Sequence, residues 1–526
     1  MWSAMHGTSI QLFRSSRRAS TASRRRVTVA CGALLLCCFA SVGRAQQVNV
    51  TVRVIPGSPG RVVIEGNRAA TKSWSFRNDY AGVSELGGRF EALKVFDPAD
   101  AEIPVHKIAP GQFEAATAAA KFRYEVSLAP PARASDAARV SWLSEERGLL
   151  MLADLLPVFQ SQAATGESTN SGREGATVRF KLPDFCAVYS NEKENALGEF
   201  EVADAERAVF VVGTHLRSSH ITTSGMTFGL VTDGEWAFAD RDALEMAGNV
   251  LKAHHEVFGA MPSTQGTLIL IPFPQTVAAS KWSAETRGST VALLMGKLPS
   301  KTAALLQLSV PLTHELFHLW VPNALALEGD YDWFYEGFTV YQAARTAVRL
   351  GLLTFQEFLN AIARAYDAYS AGVDHDRLSL VEASQRRWVG GESFVYQKSM
   401  LVAFLYDLKL RSLSHGKRSL DDVYREIFRQ HRSAEGVAAE AERRKDGNDA
   451  AITALSNAPG MPGFAESFIR RAVAIDLPAH LAPFGLQIER LGLRTRVSVS
   501  ESLTRQQGDL LRELGYNNRA RSPRQD

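Results

Sequence analysis

His314-Glu315-Leu316-Phe317-His318, followed by Trp333-Phe334-Tyr335-Glu336-Gly337, decides how this chain is read. On a helix, positions i and i+4 lie one turn apart on the same face. Both imidazoles can therefore reach one metal ion, while the carboxylate after the first histidine stands beside it. A catalytic zinc takes three protein ligands and keeps a fourth position open, so one more ligand must come from elsewhere. Glu336 is the natural third, 18 residues beyond His318. That is enough chain to leave one helix, turn and bring a second alongside. The segment between holds Pro322, Asn323, Gly329 and Asp330, which read as helix stop and loop. From Trp333 the pattern turns helical again. With 12 histidines in 526 residues, such a pentapeptide arises by chance in roughly one chain of this size in a hundred. His314, His318 and Glu336 are thus expected to hold zinc. Zinc lowers the pKa of a bound water, and Glu315 is expected to take that water's proton as it attacks a carbonyl, then pass it to the leaving amine. Pro311 predicts that the helix begins or kinks there rather than running back to Ala303.

Composition narrows the class. The first 45 residues hold seven arginines and no acid, an apolar run over residues 27–42, and small residues at Gly43-Arg44-Ala45. This pattern predicts a signal peptide over 1–45 and an exported protein, periplasmic or extracellular. The run is shorter than the roughly 20 residues a spanning helix needs, so no stable membrane span is expected after cleavage. Without the leader, 52 basic residues stand against 56 acidic ones. No basic surface is left to argue for nucleic acid. Cys186 is the one cysteine outside the leader, which leaves no internal disulfide to expect and reads as a small buried apolar residue.

The remaining length is too great for one core. Residues 46–235 read as an N-terminal β-rich domain: Val48 to Val54 and Phe122 to Leu128 alternate apolar and polar with period two, and Ala208 to Val212 is a short apolar run. Residues 161–176 and 130–137 read as loops. Residues 236–486 form the second domain, with a helix from Asp242 to Phe258 stopped by Gly259, short strands at Thr267–Ile271 and Thr290–Leu294, and helices from Ala303 to about Arg432. The polar stretch 435–449 reads as a solvated helix or insertion, residues 487–526 as a short tail, and the last ten as disordered.

Three blocks carry a family resemblance. They are His314 to Trp320 with Trp333 to Thr339, the segment Val395-Tyr396-Gln397-Lys398-Ser399, and Trp282-Ser283-Ala284-Glu285-Thr286-Arg287-Gly288. Together they resemble the glycyl aminopeptidase family of zinc metallopeptidases, a gluzincin group similar to aminopeptidase N. The resemblance spans roughly 48–486, with only the zinc block specific by itself. It implies an α+β multidomain fold: an N-terminal antiparallel β domain, then a thermolysin-like, mostly helical zinc peptidase domain. It implies that Tyr396 steadies the tetrahedral intermediate, with His375 a weaker competitor for that role. It also implies that Glu285 binds the free amino group of a peptide substrate. Ser283, Thr286 and Ser399 depart from the family pattern, which puts a preference for N-terminal glycine in doubt, and the residues after 486 are too few for the PDZ domain the family commonly carries. The reading is a zinc aminopeptidase acting on peptides or proteins. Its rivals are a zinc endopeptidase without recognition of the N-terminus, for which Glu285 is the discriminator, and a non-catalytic peptide-binding relative, against which the intact Glu315 argues.

Overall fold

The computed structural model describes residues 48–158, 175–372, 377–433, 444–492 and 494–516. The expected leader, His375, the last ten residues, and most of the polar segments 161–176 and 435–449 lie outside them.

The N-terminal region is built from strands, as alternation predicts. β1 (Val48–Ile55), β2 (Arg61–Phe76), β3 (Phe90–Phe96) and β4 (Gln112–Ser127) share one sheet with β6 (Ala176–Lys181), side by side in the order β6-β1-β2-β4-β3. β1 pairs parallel with β6, and the other neighbours are antiparallel. β1 buries Val48, Val50, Val52 and Val54 and turns the residues between them outward, the signature of a strand with one wet face. β5 (Arg147–Met151) and β7 (Val209–Gly213) pair in a second, four-stranded sheet. Leu150, Phe210 and Val212 enter the core of the N-terminal sheet, whereas Leu149, Met151, Val209 and Val211 point the other way. Both faces are covered, which is why this stretch reads as a continuous apolar run.

That other face packs on a third sheet, made of β8 (Arg217–Thr223), β9 (Met226–Thr232), β10 (Gln265–Pro272), β11 (Trp282–Arg287) and β12 (Thr290–Met295), in the order β8-β9-β10-β12-β11. Ile269, Ile271, Ala292 and Leu294 meet the four-stranded sheet, and Leu268, Leu270, Val291 and Leu293 enter the helical core. β8 and β9, which the sequence reading assigned to the N-terminal domain, thus belong to the sheet that backs the helices. β11 is an edge strand, which exposes its residues to whatever packs alongside.

The helical layer consists of α1 (Asp240–Phe258), α2 (Lys301–His318), α3 (Thr339–Arg349), α4 (Phe355–Ser370), α5 (Ser399–Ser414) and α6 (Leu420–His431), with shorter helices around them. α1 ends at Gly259 with φ 80°, a left-handed stop that glycine tolerates best. α2 corrects one expectation: it runs unbroken through Pro311 from a Ser300 cap. The loosened turn is stitched by side chains, since Ser309 Oγ donates to the Leu306 carbonyl and Thr313 Oγ1 lies 3.0 Å from the carbonyls of Ser309 and Val310. After Leu481 the chain forms an antiparallel hairpin, Leu486–Leu491 with Arg494–Val499, and a last helix, Arg505–Glu513. The hairpin docks on α4, where the Asp367 carboxylate accepts from the Thr495 amide at 2.9 Å and Gln356 donates to the Val497 carbonyl. Among the described residues no helix is long and apolar enough to cross a membrane.

Candidate active site

Three elements meet where α2 ends. α2 presents His314, Glu315 and His318 toward the edge strand β11. Glu336 comes from a π-helical turn, Trp333–Phe338, that leads into α3, and Tyr396 from a second one, Phe394–Lys398, that leads into α5. Single π turns inside helices mark functional positions often enough that two facing each other invite inspection. Gly337 lets them meet: a Cβ there would stand 2.2 Å from the Ser399 Cβ and the Val395 carbonyl.

The three expected ligands converge. Nε2 of His314 lies 3.0 Å from Nε2 of His318 and 3.2 Å from Oε2 of Glu336, and His318 Nε2 lies 3.5 Å from the same oxygen. A tetrahedral zinc with bonds of about 2.0–2.1 Å holds its ligand atoms roughly 3.3 Å apart. The residues therefore fit a metal of that size, and among the described residues this is the one His/Cys/Asp/Glu group that meets the spacing for an ion. His318 Nδ1 faces the Val321 carbonyl at 2.9 Å, which fixes that nitrogen as the protonated one when the ring is neutral and leaves Nε2 bare. Burial disfavours a charged His318, yet Glu336 and Glu315 outweigh it and raise its pKa to about 9 in the absence of a cation. Burial likewise opposes charge on Glu336, but Arg387 and His318 hold it well below the usual carboxylate range.

Arg387, which no spacing rule pointed to, organises the far side of the centre. Its Nη2 donates to Glu336 Oε1 at 2.9 Å and to the Tyr396 phenol oxygen at 2.5 Å, and its Nη1 donates to Asp332 Oδ1 at 2.6 Å. Glu336 is thereby split, one oxygen on the arginine and one toward the histidines. Tyr396 accepts from Arg387, so its own hydrogen is left for a group in the cleft. Burial, then Glu336, push the Tyr396 pKa well above that of an ordinary phenol, so it stays protonated.

Glu315 is buried, and Thr286 on β11 holds it. The Thr286 hydroxyl lies 2.7 Å from Glu315 Oε2 and 3.1 Å from the Glu315 carbonyl. One residue earlier, Glu285 faces the same cleft. Its Oε1 accepts from the Tyr80 hydroxyl at 2.8 Å, a residue of the N-terminal region 205 positions away, and Arg139 Nε stands 4.0 Å from Oε2. Burial raises the Glu285 pKa, against the pull of Arg287, Tyr80 and Arg139. His314, Glu315, His318, Glu336, Tyr396 and Glu285 all line one cleft of about 1220 Å³, to which the N-terminal region contributes Tyr80, Ala81 and Arg139. Thr286, Arg387 and Tyr80 had no signal that local sequence reading could use, because each acts on a partner from another element.

Comparison with known proteins agrees with the fold. Residues 307–402 match the family model for M61 glycyl aminopeptidase, which covers the metal-site segment and Tyr396. No curated protein matches. The crystal structure of an aminopeptidase N family protein from Idiomarina loihiensis is similar at a TM-score of 0.70 and 17% identity, over 85% of this chain and 79% of that one. An M1 zinc metallopeptidase from Deinococcus radiodurans matches at a TM-score of 0.49 and 14% identity, over 82% of this chain and 94% of that one. A mutant of an M1 zinc metallopeptidase from the same organism, bound to a Tyr-Ser-Ala substrate, matches at 0.49 and 13%, over 81% and 94%. The fold, a β-rich region followed by a helical peptidase domain, is the one seen in the aminopeptidase N family protein.

Proposed function

We propose that this metallopeptidase is a zinc-dependent aminopeptidase that removes N-terminal residues from peptides. The observation that carries the zinc assignment is the convergence of two imidazole nitrogens and one carboxylate oxygen to within 3.0–3.5 Å of one another. Zinc held by His314, His318 and Glu336 would supply Lewis acidity and make water a better nucleophile near neutral pH.

The chain's own residues divide the remaining work. Glu315, oriented by the Thr286 hydroxyl, takes a proton from the attacking water and delivers it to the leaving amine. Tyr396 donates its hydrogen to the carbonyl oxygen as that oxygen becomes negative, a role its bond from Arg387 prepares. Glu285, with Tyr80 bonded to one oxygen, pairs with the substrate ammonium and sets the first peptide bond over the centre. The arginine-rich start and apolar run within residues 1–45 support a reading of them as an export signal, which sequencing the N-terminus of the exported chain tests.

Elemental analysis of protein purified without added metal should give one zinc per chain, and alanine at His314 or His318 should remove most of it. Free peptides should be cut far better than their N-acetylated forms, and Glu285→Ala should close that gap mainly by weakening the free ones. Efficient internal cleavage of acetylated peptides by the wild type would replace this reading with that of an endopeptidase.

A further inference from the structure

The part of the cleft around Glu285 is not simply acidic. Arg287, behind it, is buried, donates to the Arg139 carbonyl at 2.7 Å and lies 4.1 Å over the Tyr80 ring. Arg207 donates to the Asn323 carbonyl at 2.8 Å, and Arg387 is committed to the metal centre. Nε and Nη1 of Arg287 lack a hydrogen-bond partner, but that side chain is buried, whereas the Arg139 side chain is 21% exposed. Its guanidinium stacks 5.2 Å over Trp388, its Nη1 reaches the Ala81 carbonyl at 3.4 Å, and its carboxylate neighbours Asp136 and Glu285 both stand at 4.0 Å. Stacking uses the face of a guanidinium and leaves its in-plane donors open. Among the described residues, Nε and Nη2 of Arg139 donate no hydrogen bond, and the side chain lines the cleft.

The geometry of those donors gives them an occupant. Asp136 and Glu285 stand at 4.0 Å, too far to accept a hydrogen bond, so the Nε and Nη2 edge of Arg139 is unused. That edge takes a carboxylate in two parallel hydrogen bonds. The 4.0 Å between Arg139 Nε and Glu285 Oε2 is short enough for one amino-acid residue to touch both groups. We propose that Arg139 is a carboxylate-recognition residue beside the amine site, so that the enzyme favours substrates bearing an anionic group close to the free N-terminus. The anion is either the side chain of an N-terminal Glu or Asp, or the C-terminus of a dipeptide. This rests on the aminopeptidase reading with Glu285 as the amine site.

The test is kcat/KM for Glu-Ala, Gln-Ala and Ala-Ala, each as free acid and as C-terminal amide, on wild type, Arg139→Met and Arg139→Lys. Glutamate and glutamine differ in charge and hardly in size, so their ratio within one protein isolates the ion pair. Wild type should favour Glu-Ala-amide over Gln-Ala-amide by about tenfold or more, Arg139→Met should bring the ratio near one, and Arg139→Lys should fall between. If the advantage follows the free C-terminus instead, and is lost in Arg139→Met, the anion is the dipeptide carboxylate. No charge preference in wild type, or a preference that survives in Arg139→Met, overturns the proposal. The wild-type ratios stand even if a variant fails to fold. Should none of the unblocked peptides release its first residue, it is the aminopeptidase reading that fails.

Discussion

Replacing Arg387 with methionine keeps most of the stem volume but removes the charge that Glu336 Oε1, Asp332 Oδ1 and the Tyr396 oxygen share at 2.9, 2.6 and 2.5 Å. The side chain is 8% exposed, so water cannot take its place. Removing one partner from a buried charge pair costs about 3–5 kcal/mol, because the partners left behind stay desolvated. Against a typical stability of about 5–15 kcal/mol, the variant should still fold. The loss should be larger in chelator, where the His318 imidazolium alone is left to offset Glu336 and Asp332, and smaller with zinc, whose charge neutralises Glu336. Urea unfolding with and without zinc measures both. Turnover should fall through Tyr396, whose hydrogen is no longer directed into the cleft. Losing an oxyanion donor costs about 100- to 1000-fold in kcat, so Tyr396→Phe should lower kcat far more than it changes KM. Arg387→Met should approach the same loss, and the double variant should be little worse than either single one. Arg387→Lys, charged but unable to reach three acceptors as a planar fork, should be intermediate. Fully additive kcat losses, or a metal-free destabilisation below about 1 kcal/mol, would refute this account of Arg387.

Glu315→Gln should keep its zinc and its unfolding midpoint while losing nearly all turnover, since only proton transfer is removed; ordinary activity in that variant would rule the mechanism out. Thr286→Val deletes the 2.7 Å bond to Glu315 and should lower kcat by roughly tenfold, the value of one hydrogen bond to a charged group, with KM little changed. Stability should also decline in acid because of His254, whose Nε2 faces the Thr313 carbonyl at 3.1 Å and whose pKa burial pushes down to about 3. The unfolded chain takes up this proton near pH 6.5 and the folded chain does not until about 3, so the contribution is whole above that upper value and is lost as pH falls, by roughly 3 kcal/mol at pH 4. Urea titrations of wild type and His254→Gln at pH 7 and pH 4 measure the difference, and equal acid losses in the two would clear His254 of this role.

The fold was legible wherever one period decided the outcome. Val48 to Val54 alternates because β1 has one dry face, and Leu268 to Ile271 is apolar throughout because β10 has two. What period cannot supply is a partner. β8 and β9 look like any other pair of strands, and only the parallel register of β9 with β10, Leu230 beside Leu268, moves the pair into the sheet behind the helices. The stretch after 486, expected to be a tail, does carry local signals of structure: Arg494 to Val499 alternates with period two, and Thr504 with Gln507 forms a capping box for the last helix. Its high polarity reflects a hairpin that, among the described residues, buries only Leu486, Thr495 and Val497, which composition alone does not separate from a tail.

The candidate site divides along the same line. His314, Glu315 and His318 are set by the pitch of one helix, so three letters of spacing carry their geometry. Glu336 is reached across one loop and stays within the grasp of a motif. Arg387 lies 51 residues from Glu336, and Tyr80 lies 205 from Glu285. No local rule spans those intervals, since the contacts exist only once the two π turns have met and the N-terminal region has closed over β11. Gly337 is the one place where this tertiary event leaves a mark in sequence: the glycine after Glu336 is there because any Cβ would push Ser399 away. A Gly337→Ala variant would therefore separate Glu336 from the Arg387–Tyr396 pair without touching a single ligand, which makes the spacing of the two turns, and not the zinc motif alone, the feature on which the chemistry depends.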